Sequence, residues 1–138
     1  MSVATDFGDG RKPGIDKPDI VRALFAAYYN KDRAALDALL TADFRFTSPY
    51  DDAIDKATYF ERCWPASQHM TGHTLEKIVD LGGDEVMVQY ECKMPDGEAF
   101  QNVEVMAFAG SRVRSVNVYF GAMYKNGKFA KWDSATSS

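Results

Sequence analysis

Three turn signals in the second half of the chain constrain its fold more than any other feature: Gly82-Gly83-Asp84, Pro95-Asp96-Gly97 and Gly110-Ser111. The segments they separate, residues 74–81, 85–94, 99–108 and 112–124, are rich in β-branched and aromatic residues with polar ones between them, and read as strands. Connections this short join antiparallel neighbours only. The second half is therefore expected to form a four-stranded antiparallel meander.

The first half carries the helical period. Asp16 supplies an N-cap, Pro18 suits a first turn, and Asp19 sits where an acid favours the helix dipole. Ile20, Val21, Leu24, Phe25 and Tyr28 then make one apolar stripe that ends near Asn30. Asp32 caps a shorter helix that buries Leu36, Leu39 and Leu40. A short strand follows over 43–48, alternating Phe44 and Phe46 with Arg45 and Thr47, and Ser48-Pro49-Tyr50-Asp51-Asp52 closes it with turn chemistry. Asp55 caps a third helix with Tyr59, Phe60, Cys63 and Trp64 as its apolar positions, and Pro65 marks its end or a kink. Helices first and strands afterwards is the α+β order, with helices covering one face of the sheet.

At 138 residues the chain has room for one core, and 46% hydrophobic with 26% charged residues is a composition that folds. Glycines 8, 10 and 14 with Pro13 mark residues 1–15 as an N-terminal arm, residues 16–124 are the domain, and 125–138 are a C-terminal tail. The net charge of −4 divides into +1 over residues 1–31, −9 over 32–111 and +4 over 112–138. An acidic middle repels phosphates, which argues against nucleic acid as a partner. The longest apolar run, residues 23–29, is far too short for a bilayer, and no signal-like stretch opens the chain. Cys63 and Cys92 make no disulfide framework, so a cytoplasmic, membrane-free protein is expected. No phosphate loop, nucleophile elbow or zinc spacing occurs, and no cofactor or metal is expected. His69 and His73, four apart with Gly72 between them, read as part of a polar loop.

The runs Ala26-Ala27-Tyr28-Tyr29-Asn30-Lys31-Asp32, Leu39-Leu40-Thr41-Ala42-Asp43-Phe44-Arg45-Phe46-Thr47-Ser48-Pro49 and Val116-Asn117-Val118-Tyr119-Phe120-Gly121 resemble the nuclear-transport-factor-two-like superfamily, in particular its SnoaL-like branch of polyketide-cyclase and ketosteroid-isomerase relatives. The resemblance implies a cone, a curved antiparallel sheet of the cystatin-like α+β barrel type packed against three N-terminal helices, with a pocket at the open end. It also implies a homodimer through the convex sheet face. That expectation agrees with the sequence, because Val103 and Val105 leave an apolar second face uncovered by helices.

For function the resemblance implies several chemistries. Ketosteroid-isomerase-like relatives imply a carboxylate base at the end of the first strand, a tyrosine on the first helix and an acid on a central strand. Here those places hold Ser48, Leu24 and Glu104. Epoxide-hydrolase-like relatives imply an Asp-Arg-Asp array, of which Asn102-x-Glu104 keeps only the spacing. Glu104 is thus the candidate catalytic acid or base, with Asn102, Tyr59, Trp64, Tyr90, Asn117 and Tyr119 as candidate substrate-binding residues. Parity places Asn102, Glu104, Met106 and Phe108 on one strand face, expected to be the interior. The register of the Pro95-Asp96-Gly97 hairpin decides whether Val88 and Tyr90, or Gln89 and Glu91, stand beside Glu104. The ligand expected is small and apolar or partly polar, and two readings stay open: a cofactor-independent isomerase, cyclase or hydrolase, and a ligand-binding or accessory domain without catalysis.

Overall fold

Three aspartates open the three helices, as their spacing predicts. The Asp16 side chain accepts from the Asp19 amide (3.3 Å) ahead of α1 (Lys17–Tyr29), Asp32 from Ala35 (3.2 Å) ahead of α2 (Arg33–Ala38), and Asp55 from Thr58 (2.9 Å) ahead of α3 (Lys56–Arg62). Each cap satisfies an amide that the first helical turn leaves without a partner. A one-turn 3₁₀ helix, Trp64–Gln68, continues from α3 with Pro65 in its first turn. The structure, a computed structural model, describes residues 16–132. The expected N-terminal arm (1–15) and the end of the expected tail (133–138) lie outside the described residues.

Eight strands form one sheet: β1 (Leu40–Ser48), β2 (Asp51–Asp55), β3 (Gly72–Gly82), β4 (Glu85–Lys93), β5 (Ala99–Ala109), β6 (Arg112–Phe120), β7 (Met123–Lys125) and β8 (Lys128–Lys131). Their order is β2-β1-β6-β5-β4-β3, with β7 pairing β5 and β8. The meander β3 to β6 is antiparallel throughout, as the turns require. Gly82, Gly83 and Asp84 all adopt positive φ (78°, 59° and 66°) in the first of these turns. That conformation is the reason two glycines stand there.

The structure differs from the sequence reading at three places. β1 runs parallel to β6, with Phe46 opposite Val116, so the sheet is mixed at this one seam. No hairpin links these two strands, and the long intervening chain leaves either direction open. The seam joins the halves of the sheet, but β2 and β3 remain at its edges, so the cone does not close into a barrel. The expected turn after Ser48 is only Pro49-Tyr50, and the chain returns as β2. The last long strand stops at Phe120, and residues 123–131 fold back as a β7–β8 hairpin within what had read as strand end and tail.

The core lies on the concave side of the sheet. Val86, Val88, Tyr90 and Cys92 of β4 are buried and alternate with outward Met87, Gln89 and Glu91. They meet Val21, Leu24 and Phe25 of α1, Leu36 of α2, Phe44 of β1 and Val113, Val116 and Val118 of β6. Each of the large apolar side chains contributes roughly 1.5–3 kcal/mol by leaving water.

Candidate functional site

The helices cover only part of the concave face, and between it and α1 and α3 lies a cavity of about 570 Å³. Its walls are largely aromatic: Phe25, Tyr28 and Tyr29 from α1, Phe44 and Phe46 from β1, Tyr59 from α3, Phe100 from β5 and Phe120 from β6. An apolar cleft with a few polar groups is the usual form of a small-molecule site.

Those polar groups are set by strand register. Val88 pairs with Glu104 and Tyr90 with Asn102, so Tyr90 stands on the same face as Glu104 and diagonal to it. This settles the register left open by the Pro95-Asp96-Gly97 turn. The Tyr90 hydroxyl donates to Glu104 Oε2 (2.5 Å) and accepts from Asn102 Nδ2 (3.2 Å), while Asn102 Oδ1 accepts from the Gly121 amide (3.1 Å). Asn102 is buried, and its amide therefore orients the phenol hydrogen towards the acid. Gly121 makes the arrangement possible, since a Cβ there would stand 2.1 Å from the Gln101 carbonyl oxygen.

Two opposing effects act on the Glu104 carboxyl. Burial raises its pKa and the Tyr90 hydrogen bond lowers it; burial prevails, and the value moves from 4.5 to about 7. The other oxygen, Oε1, has no hydrogen bond among the described residues, and no basic side chain pairs with the acid. Burial also raises the phenols of Tyr28, Tyr29, Tyr59 and Tyr90, and the Glu104 charge adds to each. All four stay protonated at neutral pH. Tyr28 donates to the Cys63 carbonyl (3.0 Å) and Tyr29 pairs with Cys92 Sγ (2.5 Å). The Tyr59 hydroxyl, on a side chain only 8% exposed, has no hydrogen bond among the described residues. Cys63 and Cys92 both line the cavity; burial pushes each thiol up to about 12, which keeps them from acting as nucleophiles.

A second polar group stands at the mouth. Arg62 Nε donates to Asp51 Oδ1 (2.7 Å), and the Ser48 hydroxyl donates to Asp51 Oδ2 (2.8 Å). Asp51 had read as part of a turn, yet its side chain is only 7% exposed. The pair joins β2 to α3 across eleven residues, and no linear motif marks it. Tyr50 and Phe120, with ring centroids 5.9 Å apart, flank the same opening.

Of the residues picked out by sequence, Glu104, Asn102, Tyr90 and Tyr59 come together in the cavity. Three do not. Asn117 and Tyr119 point to the convex face, where Asn117 Nδ2 donates to the Tyr119 hydroxyl (3.2 Å), because Val116, Val118 and Phe120 hold the inward parity of β6. Trp64 stands behind the wall, its ring edge-on to Tyr28 (5.7 Å) and tilted against Phe60 (5.9 Å), since the chain has already left α3 for the 3₁₀ turn. His69 is exposed, and His73 begins β3 with its ring stacked on Tyr29 at 4.0 Å. Tyr28 and Tyr29, which sequence reading left in the helix stripe and the family motif, are wall residues; their adjacency at the end of α1 is the signal that could have found them.

Among the described residues no group of three or more His, Cys, Asp or Glu is placed to hold a metal, and no helix is long and apolar enough to cross a membrane.

No curated protein matches the chain. Among solved structures it is similar to an NTF2-like protein of unknown function from Cytophaga hutchinsonii (19% identity, TM-score 0.64, covering 80% of this chain and 94% of that one). It is also similar to a hypothetical protein with a ketosteroid isomerase-like fold from Catenulispora acidiphila in complex with trimethylamine (18% identity, TM-score 0.61, 83% and 91%). A de novo designed protein with a curved β-sheet matches at 10% identity and a TM-score of 0.64, covering 75% and 83%. Identities this low show the fold alone. The SnoaL-like domain model matches residues 21–116, from the first helix into β6. The chain therefore belongs to the SnoaL-like domain family, as an α+β cone with a small-molecule pocket.

Proposed function

We propose that the protein performs cofactor-independent acid/base chemistry on a small, mostly apolar ligand, with Glu104 as the proton-transferring group and Tyr59 as an orienting donor. One observation carries this reading: a carboxyl group in an apolar cavity, held on one oxygen by Tyr90 and open on the other, with its pKa brought to about 7. A group poised near neutrality can both take and return a proton in one turnover. The Tyr59 hydroxyl, protonated and without a protein partner, can donate to a ligand oxygen in the same space. That the Catenulispora neighbour is a complex with trimethylamine is consistent with a small organic ligand.

Deuterium incorporation from D₂O at the α-carbon of a panel of cyclic ketones, followed by NMR, tests this directly. Exchange above background that falls about 100-fold or more in Glu104→Gln is the expected result. Binding of the same ketones with no exchange in either protein would replace this proposal with a second reading, sequestration without turnover. That reading draws on the missing second base, since Ser48 stands at the strand end and Asn117 faces outward.

A further inference from the structure

We infer that the cavity takes an organic ammonium, an amine or quaternary ammonium with an apolar body, whose cationic head stands beside Glu104 among the surrounding aromatic rings. This deepens the small-molecule reading of the same pocket and does not depend on whether turnover occurs.

The charge inventory leads to it. The groups that face Glu104 are Tyr90 and Cys92 from β4, Tyr28 and Tyr29 from α1, and Tyr59 from α3, while Cys63, just past α3, lies towards Asp51. All are neutral at pH 7, so none compensates the acid. The one basic side chain in the lining, Arg62, has its Nε on Asp51 at the mouth. His73 lies outside the lining, beyond Tyr29, and burial holds its pKa below the ordinary histidine value. When Glu104 ionises, the cavity carries one uncompensated negative charge with Oε1 unpartnered.

Ligand classes fare differently in such a space. An anion at the depth of Glu104 would meet that charge far from Arg62, whose guanidinium is held to Asp51 at the mouth, and would lose its hydration for little return. A neutral ligand leaves the ionised acid as it is. An ammonium supplies the missing counter-charge, and the electron-rich faces of Phe25, Tyr28, Tyr29 and Tyr59 attract it as well, an effect that grows when water is excluded. Because burial holds much of Glu104 protonated near neutrality, binding of a cation draws the acid into its ionised form and releases a proton.

Two probes of the same shape separate these cases: phenyltrimethylammonium, permanently charged, and tert-butylbenzene, neutral. Both are titrated by NMR into the protein at pH 5 and pH 8. The expected result is that the cation binds more tightly than its isostere at pH 8 and loses about 10-fold or more at pH 5, where roughly one Glu104 in a hundred is ionised. The neutral probe should bind equally at both. In Glu104→Gln the cation should lose its pH dependence and its advantage, while unchanged binding of tert-butylbenzene reports an intact cavity. If tert-butylbenzene binds and the cation does not, or if the cation binds alike at both pH values, the inference is overturned and the pocket reading stands. If neither probe binds, both are overturned.

Discussion

The Tyr90 hydroxyl stands 2.5 Å from Glu104 Oε2, so the acid of the cavity is held by a neutral donor rather than a cation. A cationic partner would have kept the carboxyl fully ionised. A phenol, itself oriented by Asn102, offsets only part of the burial penalty and leaves the group near neutrality.

Tyr90→Phe should therefore raise the Glu104 pKa further. The hydrogen bond favours the ionised form, and its removal leaves burial unopposed. Carboxyl chemical shifts followed through a pH titration read the value directly. A fall in the Glu104 pKa on this substitution would show that the phenol does not stabilise the carboxylate.

Glu104 also makes stability depend on pH with a definite sign. Its folded pKa, about 7, lies above the 4.5 of an unperturbed glutamate. Between those values the folded state keeps a proton that the unfolded state has released, so this contribution is present below pH 4.5 and is lost as pH rises through 7. The full shift corresponds to up to about 3 kcal/mol. Denaturant titrations of wild type and Glu104→Gln should nearly coincide at pH 4, with the variant the more stable at pH 8. A variant less stable at pH 8 than at pH 4, relative to wild type, would contradict the assignment.

Gly121→Ala should destabilise the fold by roughly 1–3 kcal/mol or more, because the new methyl meets the rigid backbone of Gln101 rather than a side chain able to move. The same shift pulls the Gly121 amide from Asn102 Oδ1 and frees the Asn102 side chain. Thermal unfolding and the Glu104 titration should change together. A variant with wild-type Tm would show that the 101–121 contact yields easily.

The convex face of the sheet is expected to seat a second copy of the chain. Tyr119 is 56% exposed and Val79 41%, with half-buried Met87, Val103 and Val105 between them, an apolar surface that water covers poorly. Light scattering at roughly tens of micromolar should report a dimer, and Val105→Lys should shift it towards monomer without altering the Glu104 titration. A wild-type monomer at that concentration would remove the expectation.

Much of the fold was legible because its determinants are local. Asp16, Asp32 and Asp55 cap helices through amides three residues away, and the glycine turns of the meander impose antiparallel pairing whatever surrounds them. Strand parity likewise placed Asn102 and Glu104 on one face and, applied to β6, would have sent Asn117 and Tyr119 to the other.

The site was decided elsewhere. Whether Tyr90 or Glu91 stands beside Glu104 turns on a one-residue difference in hairpin register, which flips every side chain of the strand and which turn composition alone leaves open. The parallel β1–β6 seam joins segments far apart in the chain, and the Asp51–Arg62 pair spans a strand-to-helix corner, so no regular spacing announces either. The three helices, the four meander strands and the strand that carries the acid were legible in the chain alone, because hydrogen bonds and alternation act between near neighbours. That this acid lies inside the cavity, with one phenol and no basic side chain beside it, was settled by the packed cone, because desolvation comes from all the walls at once and from no single segment.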